Sequence, residues 1–405
     1  WHIITPPFTL KEGSSMARGN ISQRLPGTWS IRVEIPTDPV TGKRRQRRET
    51  FRGTKREAET KLTALLKEVD TGGFVNPSKA NLGKYLNQWI EDYARPNLAP
   101  KTTQNYEHMI NKHLAPKLGI LTLGRIRPDH IQTYISDKLT SGLSAKTVKH
   151  HYVTLHTALA HALKQGLISR NPCDSVTAPK PQQQEMNVLD EDGVQRVLEA
   201  AKSTEYYYLF YFLLFTGCRR SEALALRWLD LDLTLAQASI TRSMHHLRDG
   251  RIVFRQPKTI RSRRSISLPP SLAISLRQHR TGQASLKATL GLGFSDEDLV
   301  FCHSDGSPYL PDTITHYWTK LTRRLGFQGI RLHDARHTHA TMLMKDNVDP
   351  LTVQRRLGHA SITTTFDIYG HLIPEHERQA AAKFDERMAI KPWFEPEMEA
   401  VRISP

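Results

Sequence analysis

Apolar residues recur along this chain with two periods, and the changes of period divide it. In 28–35, TWSIRVEI, Trp29, Ile31, Val33 and Ile35 alternate with Ser30, Arg32 and Glu34. That two-residue period predicts a half-buried strand. PTDPVTGK supplies a turn, and 44–53, RRQRRETFRG, reads as the returning strand. Thr54, with Glu57 three residues on, then reads as a capping box that opens a helix, which Gly72 and Gly73 stop. From 81 to 172 the spacing stays helical: Leu82, Tyr85, Leu86, Trp89, Ile90 and Tyr93 share one face, and later runs open after prolines or at Ser144, giving four or more helices. Residues 173–187 are Pro- and Gln-rich and aperiodic, and read as a linker.

From 188 to 389 the pattern predicts a second, larger domain. It opens with a helix in DEDGVQRVLEAAKS, followed by the apolar run 206–217, YYYLFYFLLFTG, which reads as a buried helix. Three short alternating runs, QASITRSMHH, RIVFRQ and RSRRSISLP, are separated by LRDGR and PKTIRS and predict a three-stranded antiparallel sheet. Helices return at 311–325, 333–345, 351–357 and around 362–368.

Charge changes the picture. Across 405 residues Lys plus Arg number 57 and Asp plus Glu 40, a formal net charge of +17 that favours a polyanion partner such as DNA. Residues 43–56 hold eight Lys or Arg and one acid, so a ribbon carrying Arg44, Arg45, Arg47 and Arg48 suits a DNA groove and its phosphates. Lys146 and Lys149 at a helix start suit either further phosphate contacts or a plain solvated face. No apolar run reaches the roughly 18 residues that span a membrane. Cys173, Cys218 and Cys302 are far apart and without CxxC spacing, which points to a reducing, cytoplasmic setting and away from a disulfide framework or structural zinc. The chain starts at Trp1, and MARGNISQR begins at Met16, so residues 1–15 read as an extension outside the fold.

Chemistry concentrates in the larger domain. TGCRRSEALALRW carries Arg219 and Glu222, PKT carries Lys258, RLHDARHTHATMLMK carries Arg331, His333, Arg336, His337 and His339, and LGHASITTTFDIYGH carries His359 and Tyr369. His333 and His337 are four apart, but HDARH lacks the HExxH glutamate and acidic ligands are scarce, so no metal is expected. Two arginines, a lysine, two histidines and a tyrosine, with no nucleotide loop, suit metal-free phosphoryl transfer. Arginine forks would neutralise the phosphodiester oxygens, a tyrosine hydroxyl would attack, and lysine and histidine would move protons, with no cofactor.

These motifs, TGCRRSE, the hairpin lysine before RSRRSISLP, HDARHT, LGHASITTT and a tyrosine ten residues after His359, resemble the tyrosine recombinases, or phage integrase family, over residues 80–385. The resemblance implies catalytic roles for Arg219, Lys258, His333, Arg336, His359 and Tyr369, support from Glu222 and His337, a structural place for His339, and a phosphate contact at Arg331. It implies a small N-terminal β-sheet-plus-helix arm-binding domain (16–75), an all-α, SAM-like core-binding domain (79–172), the linker (173–187), a mixed, mainly-α catalytic domain with a small antiparallel sheet (188–389), and a tail (390–405). The family acts as a homo-tetramer on double-stranded DNA through a 3′-phosphotyrosyl link and a Holliday junction. An N-terminal module like this one resembles the arm-site domain of integrases from phages and integrative conjugative elements, which work with a directionality factor and a DNA-bending protein. Two alternatives remain at this stage: a catalytically silent DNA-binding regulator on the same scaffold, and a type IB topoisomerase-like enzyme.

Overall fold

The computed structural model describes residues 18–35, 45–70, 80–182, 186–256, 263–359, 361–363, 366 and 382–388. The described residues form two compact units, one up to 182 and one from 186.

The first unit begins with an antiparallel sheet of β1 (Gly19–Leu25), β2 (Thr28–Ile35) and β3 (Arg45–Arg52), in that order. Helix α1 (Lys55–Asp70) covers one face. Ile31 and Val33 on β2 meet Leu65 and Val69 on α1 in a small core. The capping box is present: the Thr54 amide donates to Glu57 Oε2 at 2.8 Å, and the Glu57 amide donates to Thr54 Oγ1 at 3.4 Å. The sequence pattern misses β1, an edge strand with only Ile21 partly buried, so its alternation is almost silent.

Strand register sorts the arginines. Val33 pairs with Arg47 and Ile31 with Glu49, so Arg47 lies on the α1 face, where its Nη2 donates to Glu49 Oε2 at 2.9 Å. Arg32 pairs with both Arg48 and Asn20 on the opposite face. Arg44 lies outside the described residues, as do Gly72 and Gly73.

The helical part of this unit comprises α2 (Leu82–Trp89), which continues through a π-helical turn into α3 (Arg95–Asn97), then α4 (Pro100–Met109), α5 (Ala115–Leu118), α6 (Pro128–Thr140) and α7 (Ala145–Lys164). Leu82, Leu86, Ile110, Leu114, Leu155 and Leu159 are sealed in one core. Tyr85 stays inside because its hydroxyl donates to the Ala158 carbonyl at 2.8 Å, which removes the cost of a buried unpaired hydroxyl. Asn171–Val176 corrects the linker boundary: Cys173 is fully buried and Val176 nearly so, so the segment from 173 starts as part of the core.

The second unit is built around α9 (Tyr207–Thr216), apolar on every side and buried accordingly. Around it lie α8 (Glu191–Ala201), α10 (Arg220–Ala223), α11 (Pro270–Thr289), α12 (Pro311–Arg324), α13 (Asp334–Lys345) and α14 (Pro350–Leu357). Phe210, Phe212, Trp318 and Leu276 are fully buried; each such side chain contributes about 1.5–3 kcal/mol by leaving water.

One expectation is corrected here, and one helix lies outside the sequence pattern. The predicted single three-stranded sheet is two sheets. β4 (Leu231–Asp232), β5 (Gln237–Ile240) and β8 (Arg264–Ser267) form one, and β6 (Ser243–His246) pairs with β7 (Ile252–Arg255) in another. The run QASITRSMHH breaks at Thr241 and Arg242. Thr241 Oγ1 donates to Asp230 and Arg242 Nε donates to the Ala225 carbonyl, which pulls the chain out of the first sheet. Helix α11 was not foreseen. Its apolar period lapses after Leu276, and the later buried positions are Gln283, bonded to Trp228, and Lys287, paired with Asp298. The helix read at 362–368 falls mostly outside the described residues; 382–388 are helical, with Phe384 and Met388 exposed.

Candidate functional site

The end of α9 and the end of α14 meet, and Arg219, Arg336 and His359 gather there. Both helices close on a glycine with left-handed backbone, Gly217 at φ 64° and Gly358 at φ 69°. Neither leaves room for a side chain. A Cβ on Gly217 would lie 2.7 Å from Leu357 Cδ2, and one on Gly358 would lie 3.0 Å from Arg264 Nη1.

Three successive carbonyls at the C-terminus of α14 each accept from a different arginine. Arg264 Nε donates to the Arg356 oxygen at 2.7 Å, Arg336 Nη2 to the Leu357 oxygen at 2.7 Å, and Arg219 Nη2 to the Gly358 oxygen at 3.1 Å. The last carbonyls of a helix lack intrahelical partners and carry its partial negative charge, so cations suit them. Arg336 Nη1 also donates to the Gly217 oxygen at 2.8 Å, tying the two helix ends together. The next residue after these carbonyls is His359, whose amide donates back to the Gln354 oxygen. Thus Arg219, Arg336 and His359, about 140 residues apart at the extremes, form one cluster.

Glu222 sits beneath it. Its carboxylate accepts from the Arg219 amide at 3.0 Å, from Arg219 Nη1 at 2.8 Å and from Arg264 Nη2 at 2.9 Å. Burial alone would raise its pKa, but Arg264 and Arg219 more than offset that and hold it below the ordinary carboxylate range. Arg336, 3% exposed, is pushed down to about 10 by burial and then by Arg219. Three guanidiniums with a single carboxylate among them leave a net positive charge for an incoming anion to meet.

His333 stands at the N-terminal end of α13, and its ring meets that of His337 edge to face at 5.0 Å. His333 keeps an exposed edge, yet the protein crowded around its ring, with His337 and Arg336, holds it below its ordinary value. His359 is lowered to about 4 by burial and then by Arg336 and Arg219. Both rings are therefore neutral at neutral pH. Asp334, fully buried, takes both nitrogens of the Arg331 fork at 3.0 and 2.9 Å. Lys146 and Lys149 are exposed on the first turns of α7. Lys258 and Tyr369 lie outside the described residues. Among the described residues, no group of three or more His, Cys, Asp or Glu is placed to hold a metal ion.

Two site arginines escaped sequence reasoning: Arg264 and Arg356. Arg264 had a signal. On β8 it alternates with Ser265 and shares a face with the buried Ile266, and an arginine on the inward face of a strand needs a partner there. Arg356 had none. It donates to His339 Nε2 at 3.0 Å and to the carbonyls of Ser267 and Phe215.

His339 yields a prediction. Leu214 O can only accept and Arg356 Nε can only donate, so the ring is the neutral Nδ1–H tautomer. Burial, then Arg356, lowers its pKa to about 3, against the opposing bond to Leu214. The unfolded value is about 6.5, so between these pH values the unfolded chain holds the extra proton. The resulting stability is complete above pH 6.5 and is lost as pH falls, by about 1.4 kcal/mol per pH unit for this residue. Urea midpoints measured from pH 8 to 5 should fall more steeply for the wild type than for His339→Gln, by one proton's worth. Equal slopes would remove His339 as a source of acid sensitivity.

A family model described as "Phage integrase family" matches residues 187–376, and one described as "Phage integrase, N-terminal SAM-like domain" matches 81–139. The ICEBs1 integrase of Bacillus subtilis is 29% identical over 365 residues, covering 89% of this chain and 97% of that protein. A XerC-like tyrosine recombinase of Caldanaerobacter subterraneus subsp. tengcongensis is 28% identical over 352 residues, covering 82% and 90%. Among solved structures, the Tn1549 transposon integrase in complex with transposon right end DNA aligns with a TM-score of 0.64 at 20% identity, over 76% of this chain and all of that one. A lambda integrase dimer bound to a core site aligns at 0.54 and 19%, over 86% and 94%. These last two are likenesses of fold. The two family models, with the site that the first of them spans, place the chain in the phage integrase family of tyrosine recombinases, which are site-specific DNA recombinases.

Proposed function

We propose that this recombinase integrates and excises a mobile element by cutting and rejoining DNA at specific sites. The observation that carries the reading is the grip of Arg219, Arg336 and Arg264 on three successive carbonyls just before His359. It holds the guanidinium forks of Arg219 and Arg336 and the main chain that leads into His359, and preorganised donors are what stabilise a phosphorane-like transition state.

In this reading Arg219 and Arg336 clamp the scissile phosphate and His359 donates a hydrogen bond to it. Tyr369 attacks phosphorus, forming a 3′-phosphotyrosyl bond as the bond to the 5′ oxygen breaks. Lys258 gives that oxygen its proton, and His333 assists removal of the tyrosine proton. Glu222 and His337 support the site. Rejoining by a 5′ hydroxyl of the other duplex passes through a Holliday junction within a homo-tetramer. The relatives named integrase, and a lambda integrase tetramer bound to a Holliday junction, support this sequence of events by analogy. The exposed Phe384 and Met388 on the 382–388 helix suit docking on a neighbouring protomer.

The N-terminal module is proposed to bind arm-type DNA. The face of its sheet away from α1 carries Arg32 and Arg48 among Asn20, Ser22, Ser30 and Thr50. A polar, basic sheet face suits groove contacts to phosphates and base edges. Lys146 and Lys149 would contact core-site phosphates. A directionality factor and a DNA-bending protein would complete the assembly, which works in the cytoplasm of a bacterial cell.

The test is covalent trapping. A nicked duplex cut from the DNA flanking the protein's own gene should yield a protein–DNA adduct that survives denaturation and disappears on protease digestion. Tight binding of that duplex without any adduct would identify a silent DNA-binding regulator. Equal relaxation of arbitrary and cognate supercoiled DNA would identify a topoisomerase.

A further inference from the structure

We infer that Arg264 is a positioning residue for DNA cleavage, acting through Glu222 on Arg219 and through the Arg356 carbonyl on the segment that carries His359. The inference rests on the recombinase reading above.

Arg264 does not face the phosphate. Its side chain is 6% exposed, against 37% for Arg219, and its whole fork is taken up inside. Nη2 and Nη1 donate to the two Glu222 oxygens at 2.9 and 3.3 Å, Nε donates to the Arg356 oxygen, and Nη2 lies 4.0 Å from Cys218 Sγ. The side chain therefore joins three things: strand β8, the buried carboxylate, and the end of α14. Gly358 is held against it, so the fork also sets where the chain turns towards His359.

Charge gives it a second role. Glu222 is 5% exposed and is shared by two guanidiniums. Were Arg219 its sole partner, the carboxylate would cancel the charge that Arg219 is to offer a phosphate. It would also draw the Arg219 fork inward. With Arg264 taking half of the carboxylate, Arg219 keeps both its orientation and most of its field. A lysine supplies the charge but cannot reach the carboxylate and the Arg356 carbonyl with one planar fork.

Single-turnover cleavage and DNA affinity, measured on the same nicked duplex, separate this role from a merely structural one. Arg264→Met should slow cleavage about 10²-fold, the order expected when a reacting group shifts by about 1 Å. Affinity should stay within about threefold, since most of it comes from phosphate contacts elsewhere. Arg264→Lys should recover about tenfold of the rate. The decisive measurement is the pair Glu222→Gln and Arg264→Met in one chain. Removing the uncompensated charge should restore rate, so that the double variant is at least about tenfold faster than the product of the single effects predicts. It also replaces a buried ion pair by neutral groups of similar shape, which keeps the fold accessible to measurement if Arg264→Met alone unfolds. Multiplicative losses, or a fall in affinity that matches the fall in rate, would overturn the proposal while wild-type cleavage on the same duplex upholds the recombinase reading. A wild type that does not cleave would overturn both.

Discussion

Arg336→Lys is expected to slow DNA cleavage about 10³-fold in single-turnover assays on a nicked duplex, with DNA affinity changed by no more than about threefold. The guanidinium is 3% exposed and spans two helix ends, from the Gly217 oxygen to the Leu357 oxygen. A lysine ammonium is a point donor that cannot hold both carbonyls and still present a second parallel N–H to a phosphate. Burial and Arg219 already depress the Arg336 pKa to about 10, so the site holds this cation at a cost. An anion that recovers the cost is bound best when its charge is greatest, at the transition state, and this is why the loss falls on rate and spares affinity. Removing one preorganised donor costs about 10²–10³, and an arginine that meets a phosphoryl transition state is worth about 10³–10⁵. A rate within tenfold of wild type would take Arg336 out of the clamp.

The parts of this molecule legible in the sequence are those where one residue type serves one purpose. The apolar girth of 206–217 can only be a buried helix, and Thr54 with Glu57 can only usefully be a cap. The cluster of Arg219, Arg336 and His359 was legible for another reason: each stands in a short motif whose order along the chain resembles a family, although nothing in the local periodicity brings them together. What escaped is structure carried by polar residues in buried places. Helix α11 keeps going on Gln283 and Lys287, which read as surface until Trp228 and Asp298 are seen opposite them. The run QASITRSMHH keeps its two-residue period except at Arg242, and the break into two sheets there depends on Asp230 and Ala225, ten or more residues upstream. Arg47 and Arg48 are neighbours in sequence and read as one basic run, yet the pleat sends them to opposite faces, one onto Glu49 and one to the open side. Charge counted along the chain overstates what a single face can offer to DNA.

Tyr369→Phe is expected to abolish the covalent adduct, a loss of at least about 10⁴-fold, while leaving specific DNA binding intact. The substitution removes one oxygen. The anion-binding cluster does not depend on it, since the three arginines are seated on main-chain carbonyls and on Glu222. No described side chain at the cluster offers a substitute nucleophile of comparable reach. Cys218 is closest to the arginines, but its thiol is 2% exposed and burial pushes its pKa up, so it carries little thiolate to react. The histidines are neutral at neutral pH, and a phosphohistidine-type adduct would be labile to acid, whereas a phosphotyrosine adduct is stable to it. Trapping wild type and variant side by side, followed by acid treatment, therefore tests nucleophile and bond together. An acid-stable adduct in Tyr369→Phe would move the nucleophile to another hydroxyl. An acid-labile adduct in the wild type would move it to an imidazole, leaving His333 or His359 to be explained as a reacting group instead of a proton acceptor or a hydrogen-bond donor.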